Sequence, residues 1–249
     1  AEALPPSELL SRRLTAWRMV EAQHVLATAK LVDGADEQRV LEDLIERAKP
    51  PSIAPPGDRA PLHYLLATPF RYPPLRHGSR FGAAHARGIF YGARELHTVL
   101  AEVAFYRFVF RAGTSAALDA IETTHTAFLV QLRSSRAVDL TRDFFSPWRD
   151  AVLAATSHRH GQRLGARLSA NGVELVLFPS VRDPGRGTNV AVLSPRAFAR
   201  TEPQPESFQT WRCLLQPTLV SFHRLPPQPR AVAFPLATFL VDGRLPDLA

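Results

Sequence analysis

Arg80, Tyr91 and Glu102 follow one another at intervals of eleven residues. Their surroundings are Gly78-Ser-Arg-Phe-Gly82, Gly88-Ile-Phe-Tyr-Gly-Ala93 and Leu100-Ala-Glu-Val-Ala-Phe-Tyr-Arg107, with Arg71 and Tyr72 a few residues earlier. Breaking a glycoside-type bond to a cationic leaving group passes through an oxocarbenium-like transition state, which negative charge beside the ribose stabilises. Guanidinium groups grip phosphate oxygens in pairs through charge-assisted hydrogen bonds. A tyrosine stacks on a ring or hydrogen-bonds a sugar. Arg71, Arg80, Tyr91 and Glu102 together supply these parts, so they point to a phosphate-bearing, ring-containing ligand.

The same residues also fit plainer roles. Glu102, between Leu100 and Ala104, suits a helix-surface pair with Arg94 or Arg107. Tyr91 in Ile89-Phe-Tyr suits a core aromatic, and Arg80 beside Phe81 suits a surface cation anchored by its stem. Ser180 follows an apolar strand at a Pro-Ser turn, a place where ligand contacts gather. No histidine is tied to it by spacing, so it reads as a binding group and not as an activated nucleophile. His158-Arg-His160 has no Cys, Asp or Glu at metal-ligand spacing and reads as solvated, so no metal is expected. No phosphate loop, dinucleotide fingerprint or Gly-x-Ser-x-Gly elbow occurs. Cys213 in Trp211-Arg-Cys-Leu-Leu215 reads as a buried, inert thiol.

The elements that must position these residues follow from periodicity. Residues 7–30 carry Leu10, Leu14, Trp17, Val20 and Val25 near one helical face, with Ser7 as N-cap. A second helix is expected over Asp36 to Lys49, burying Val40, Leu41, Leu44 and Ile45, and Pro50, Pro51, Pro55 and Pro56 close it. Residues 1–60 thus read as an N-terminal helical extension to a domain over 61–249. Within that domain His63–Ala67 and Gly88–Gly92 read as strands, and Arg94–Phe110 as a helix with Leu96, Val99, Leu100, Val103 and Tyr106 or Arg107 inward. Ala127–Leu132 and Ala137–Leu140 read as strands, and Arg149–Ala170 as a helix ended by Asn171-Gly172. Val173–Phe178, Asn189–Leu193, Leu215–Arg224 and Arg230–Val241 complete the strands. Their irregular mixing with helices predicts an α+β fold with a mixed β-sheet and flanking helices.

Composition sets the outer bounds. The chain has 249 residues, 45% of them hydrophobic, which supports a buried core and excludes wholesale disorder. One cysteine cannot form an internal disulfide, and no signal peptide or membrane-length apolar run is visible, so a soluble cytoplasmic protein is expected. The net charge is +7, and Lys30 and Lys49 are the only lysines. The arginines are spread along the chain without a stripe or a base-stacking motif, so direct nucleic-acid binding is not expected.

The run from Tyr64 to Arg107 resembles the RES-domain family, toxins of bacterial toxin–antitoxin pairs named for an Arg, a Glu and a Ser. The matching elements are Gly78-Ser-Arg-Phe-Gly82, Gly88-Ile-Phe-Tyr91, Ala101-Glu-Val103, Pro179-Ser-Val-Arg182 and Gly187-Thr-Asn189. The resemblance implies a mixed sheet similar to ADP-ribosyltransferase toxins and cleavage of the nicotinamide–ribose bond of NAD. It makes Arg80, Glu102 and Ser180 the naming trio, with Tyr91 beside them. Arg71 and Tyr72 would join the ligand site, Arg71 holding phosphate, and Ser180 with Asn189 would orient the nicotinamide end. Water, inorganic phosphate as co-substrate, or a protein side chain is left open as the acceptor. A partner antitoxin of the Xre type is implied, and a homo-oligomer within that complex stays open. The alternatives are a protein-modifying ADP-ribosyltransferase and a basic binding module without catalysis.

Overall fold

A computed structural model describes residues 4–21, 61–72, 77–115 and 119–247, with four isolated positions between 37 and 44. Among the described residues, eight strands and four fully described α-helices alternate irregularly: β1 (Leu10–Glu21), α1 (Tyr64–Arg71), β2 (Phe90–Ala93), α2 (Leu96–Ala112), β3 (Ile121–Asp139), α3 (Ser146–Val152), α4 (Arg159–Ala170), β4 (Leu175–Pro179), β5 (Thr188–Val192), β6 (Gln209–Leu215), β7 (Leu219–Arg224) and β8 (Arg230–Pro235). The strand order is β1-β2-β5-β4-β3-β6-β7-β8, and β1 also pairs with β3. Strands β1, β2, β5, β4 and β3 therefore close on themselves, and β6, β7 and β8 extend from β3 as an antiparallel wing. The β3–β4 pair is parallel and every other strand pair is antiparallel among the described residues. This is the α+β architecture with a mixed sheet expected from the sequence.

The amino-terminal segment overturns its expectation. Residues 10–21 form a strand, not a helix, and pair with β3 from Leu10↔Ala137 to Glu21↔His125. Trp17 meets Ala93 of β2 on the other side. β1 thus closes the sheet that carries the site and is no appended extension. Its residues, Leu, Arg, Ala, Met and Glu, favour helices individually, but propensity is a weak bias that long-range pairing overrides. The expected helix over 36–49 lies mostly outside the described residues; the described Glu37, Val40, Leu41 and Leu44 are helical, but Val40 and Leu44 are exposed, not buried.

Three further expectations change. Tyr64–Ala67 belongs to helix α1, and His63 is its N-cap, its side chain accepting the Leu65 N–H at 3.3 Å. The two short strands expected between 127 and 140 are parts of the 19-residue β3. The expected helix over 149–170 is two helices, α3 and α4, separated by residues 153–158. Helix α4 does stop at Asn171-Gly172, with Gly172 at φ 68°, a conformation that glycine adopts without steric cost. Strand β6 was absent from the sequence reading.

Alternation along the central strands feeds two cores. Leu175 and Leu177 of β4, with Val190 and Val192 of β5, pack with Phe90, Phe128, Phe198 and α1 residues Leu66 and Phe70. The intervening Val176, Phe178 and Ala191 pack with Phe81, Val152 and Leu168 on the α3–α4 side. A third core joins Leu100, Ala104, Phe105 and Phe108 of α2 to Trp211, Phe222 and Phe234 of the wing. Strands buried on both faces read as continuous apolar runs, and the three cores fix α1, the α3–α4 pair and α2 in turn against the sheet. Among the described residues no helix is long and apolar enough to cross a membrane.

Candidate active site

The site begins where β4 and β5 meet the first turns of α2. Asn189 of β5 lies between Phe178 of β4 and Ala93 of β2 in register, and α2 starts three residues after Ala93. Glu102, on the second turn of α2, is thereby brought to the strand ends. Its Oε1 accepts both the Ser180 hydroxyl at 2.7 Å and the Asn189 side-chain amide at 2.5 Å. Oε2 has no protein donor among the described residues, and Glu102 lines the adjoining cavity. One oxygen fixes the carboxylate and the other is left for a ligand.

Ser180 is fully buried. Its one proton goes to Glu102, and its oxygen accepts the backbone N–H groups of Arg182 at 3.1 Å and Asp183 at 3.0 Å. A hydroxyl so committed is a support for the carboxylate and has no free lone pair aimed at a substrate. The loop behind it is tied to α2. Asp183 accepts the Thr98 hydroxyl at 2.7 Å and the Gly185 N–H at 2.9 Å, and Glu95 accepts the Thr188 N–H at 3.0 Å. A Cβ on Gly187 would stand 2.0 Å from the Thr98 hydroxyl oxygen, so only glycine permits this approach.

Arg80 enters from the loop before β2. The Tyr91 hydroxyl accepts the Phe81 N–H at 3.0 Å and shares a 3.0 Å hydrogen bond with Ser79. Gln162 of α4 donates to the His77 and Ser79 carbonyls. Tyr91 is thus a brace for the loop that carries Arg80, and burial pushes its phenol up to about 12. The Arg80 guanidinium is buried and donates to the carbonyls of Val152 and Ala154 at 3.1 and 3.2 Å. Arg182 donates to the Ala155 carbonyl at 2.5 Å and lies 3.7 Å over the Phe105 ring. The α3–α4 turn therefore holds both cations.

Charge is unbalanced here. Burial lowers the Arg80 pKa, and the nearby Glu102 carboxylate opposes the shift. Burial and Arg80 push Arg182 down to about 10, again against Glu102. His158 is buried rather than solvated; burial, then Arg80 and Arg182, hold it down at about 4. Crowded cations facing one carboxylate favour an anionic ligand.

A cavity of about 660 Å³ joins these groups, with Arg80, Tyr91, Glu102, Asn189 and Tyr72 among its lining. Arg71, expected there, ends α1 and is not part of the lining, so its expected phosphate contact is not placed. The cavity has cations the sequence reading left out. Arg18 of β1 donates to the Tyr91 carbonyl at 2.7 Å, lies 4.5 Å over the Phe90 ring and is pushed down to about 10 by burial. Its Nε is buried without a hydrogen-bond partner among the described residues. Reading β1 as a helix hid this residue. Arg182 and Tyr106 also line the cavity; the first ends the Pro179-Ser-Val-Arg182 turn and the second stands one helical turn after Glu102. No group of three or more His, Cys, Asp or Glu suited to a metal is found among the described residues.

An α+β domain thus brings a braced carboxylate and the buried Arg80 and Arg182 to one cavity. The RES domain family matches residues 55–215, and the chain belongs to that family. Among solved structures it is similar to the M. tuberculosis MbcT–MbcA toxin–antitoxin complex, at 14% identity and a TM-score of 0.45, covering 84% of this chain and 87% of that one. Comparison with curated proteins yields no match.

Proposed function

We propose that this protein is a toxin that cleaves the nicotinamide–ribose bond of NAD and is held in check by a partner antitoxin. One observation carries the reading: Glu102 is fixed through Oε1 by Ser180 and Asn189, and its other oxygen is left to a cavity that buried arginines line. In this mechanism Arg18, Arg80 and Arg182 attract the pyrophosphate. Glu102 accepts a hydrogen bond from a ribose hydroxyl and stabilises positive charge as it develops at the anomeric carbon. The N-glycosidic electron pair leaves with nicotinamide, which departs neutral. Inorganic phosphate or water then bonds the anomeric carbon, and water loses its extra proton to solvent. Cleavage by phosphate gives ADP-ribose 1″-phosphate, and cleavage by water gives ADP-ribose. The antitoxin is taken to be of Xre type, with an acidic surface matched to the basic toxin.

Product analysis of the purified protein with NAD, with and without inorganic phosphate, tests the reading. The expected result is nicotinamide release that Glu102→Gln abolishes. Release that requires phosphate identifies a phosphorylase, and release without it a glycohydrolase. Label passing from NAD to a protein band, or NAD left intact throughout, overturns the proposal.

A further inference from the structure

Tyr106 is an aromatic side chain at the site with no part in bracing it. It stands four residues after Glu102 on α2, and both line the cavity. Helical side chains at this spacing are neighbours, with Cβ atoms about 5–6 Å apart, and lean toward the helix N-terminus. Tyr106 therefore lies back over the turn that carries Glu102. It is 49% exposed although it belongs to the cavity wall. Its one ring contact among the described residues is edge-on to neighbouring Phe105, at 5.2 Å and 75°, and its hydroxyl has no hydrogen-bond partner there. Tyr91 differs: its hydroxyl is committed to the Arg80 loop and its ring packs with the α3–α4 core.

We propose that Tyr106 is the platform on which the nicotinamide ring of the substrate stacks, and so determines selection of intact NAD over ADP-ribose. The inference rests on the NAD-cleaving reading above. The nicotinamide ring is bonded directly to the carbon whose charge Glu102 would stabilise. A ring one bond from that carbon falls within the reach of a side chain one helical turn away, whereas adenine, beyond the pyrophosphate and a second ribose, does not. The nicotinamide of NAD is a pyridinium cation, and an aromatic face attracts it by about tenfold in affinity. Departing nicotinamide is neutral and loses that attraction. Tyr106 therefore strengthens substrate binding more than it stabilises the transition state.

The test measures NAD cleavage kinetics and calorimetric ADP-ribose binding for the wild type, Tyr106→Ala and Tyr106→Phe. In Tyr106→Ala, KM for NAD should rise about tenfold, the loss should not fall on kcat, and affinity for ADP-ribose, which lacks the ring, should hold. Tyr106→Phe keeps the face and should recover most of the NAD affinity. An unchanged KM in Tyr106→Ala, or a parallel loss of ADP-ribose affinity, overturns the platform while leaving NAD cleavage standing. A wild type that does not cleave NAD overturns both. Melting curves of the variants check that the half-exposed position tolerates the change.

Discussion

Replacing Glu102 by glutamine or by alanine separates its structural role from its chemical one. Ser180 and Asn189 both donate to Oε1. A glutamine carbonyl oxygen in the same place accepts both, and its amide group takes the position of Oε2. The buried donors stay satisfied, and only the negative charge is lost. Arg182, already at about 10, loses the carboxylate that opposes its shift, yet remains a cation at neutral pH. Glu102→Gln should therefore melt close to the wild type. Its kcat should fall by at least 10²–10³, about 2.7–4 kcal/mol of lost electrostatic stabilisation. In Glu102→Ala the fully buried Ser180 and the 5% exposed Asn189 lose their acceptor. Each orphaned donor costs about 1–3 kcal/mol. Cavity water replaces part of this, for a net loss of about 2 kcal/mol, or about 4–8 °C in Tm at this chain length. Thermal melts and nicotinamide release measured on all three proteins decide the matter. A glutamine variant that melts with the alanine variant would falsify the shared-oxygen geometry, and one that cleaves NAD at the wild-type rate would remove the electrostatic role.

Other perturbations reach the supports of the site. Arg18→Ala removes a half-buried cation from the cavity wall and should raise KM for NAD at least tenfold, on the scale of a lost charged hydrogen bond; an unchanged KM would take Arg18 out of the ligand site. Gly187→Ala places a Cβ 2.0 Å from the Thr98 oxygen and 2.9 Å from Asp183 Oδ2. It should force the 180–188 loop off α2, costing about 1–3 kcal/mol together with turnover, and a wild-type Tm would show that the loop has slack. His125 and His158 are buried and held down at about 4, His125 by burial and then Arg107, His158 by burial and then Arg80 and Arg182. Between about 6.5 and 4 the unfolded chain binds protons that the folded chain does not, so stability is full above pH 6.5 and falls with acid. Each histidine contributes on the order of 2–3 kcal/mol to that loss. Urea midpoints across this window should shift downward as pH falls, and should shift less in His158→Gln.

The cluster of Arg80, Tyr91, Glu102, Ser180 and Asn189 was legible in residue types and motif order, because its local segments carry their own signals. The Pro-Ser turn ends β4, glycines flank the Arg80 loop, and the apolar spacing of α2 sets Glu102 on a helix. Their roles were less legible. Tyr91 lines the cavity and also braces the Arg80 loop, a contact across ten residues that no spacing rule contains. Arg71 was expected at the ligand because it lies near Arg80 in sequence; it ends α1, and its neighbours Thr68, Pro69 and Tyr72 line the cavity. Arg18 went unseen because Leu14, Trp17 and Val20 fit a helical period as well as they fit a strand buried on both faces. His158 was read as solvated because burial at the turn between α3 and α4 is set by tertiary packing, which the His158-Arg-His160 pattern does not signal. The sequence by itself determined the α+β class, the motifs and the identity of the braced carboxylate, since these rest on local pattern and side-chain chemistry. Only the tertiary structure decided that β1 closes the sheet, which arginines share the cavity, and which Glu102 oxygen is free. Those outcomes depend on pairings between residues far apart in the chain, such as Glu21 with His125 and Ser180 with Glu102, and local propensity is silent about them.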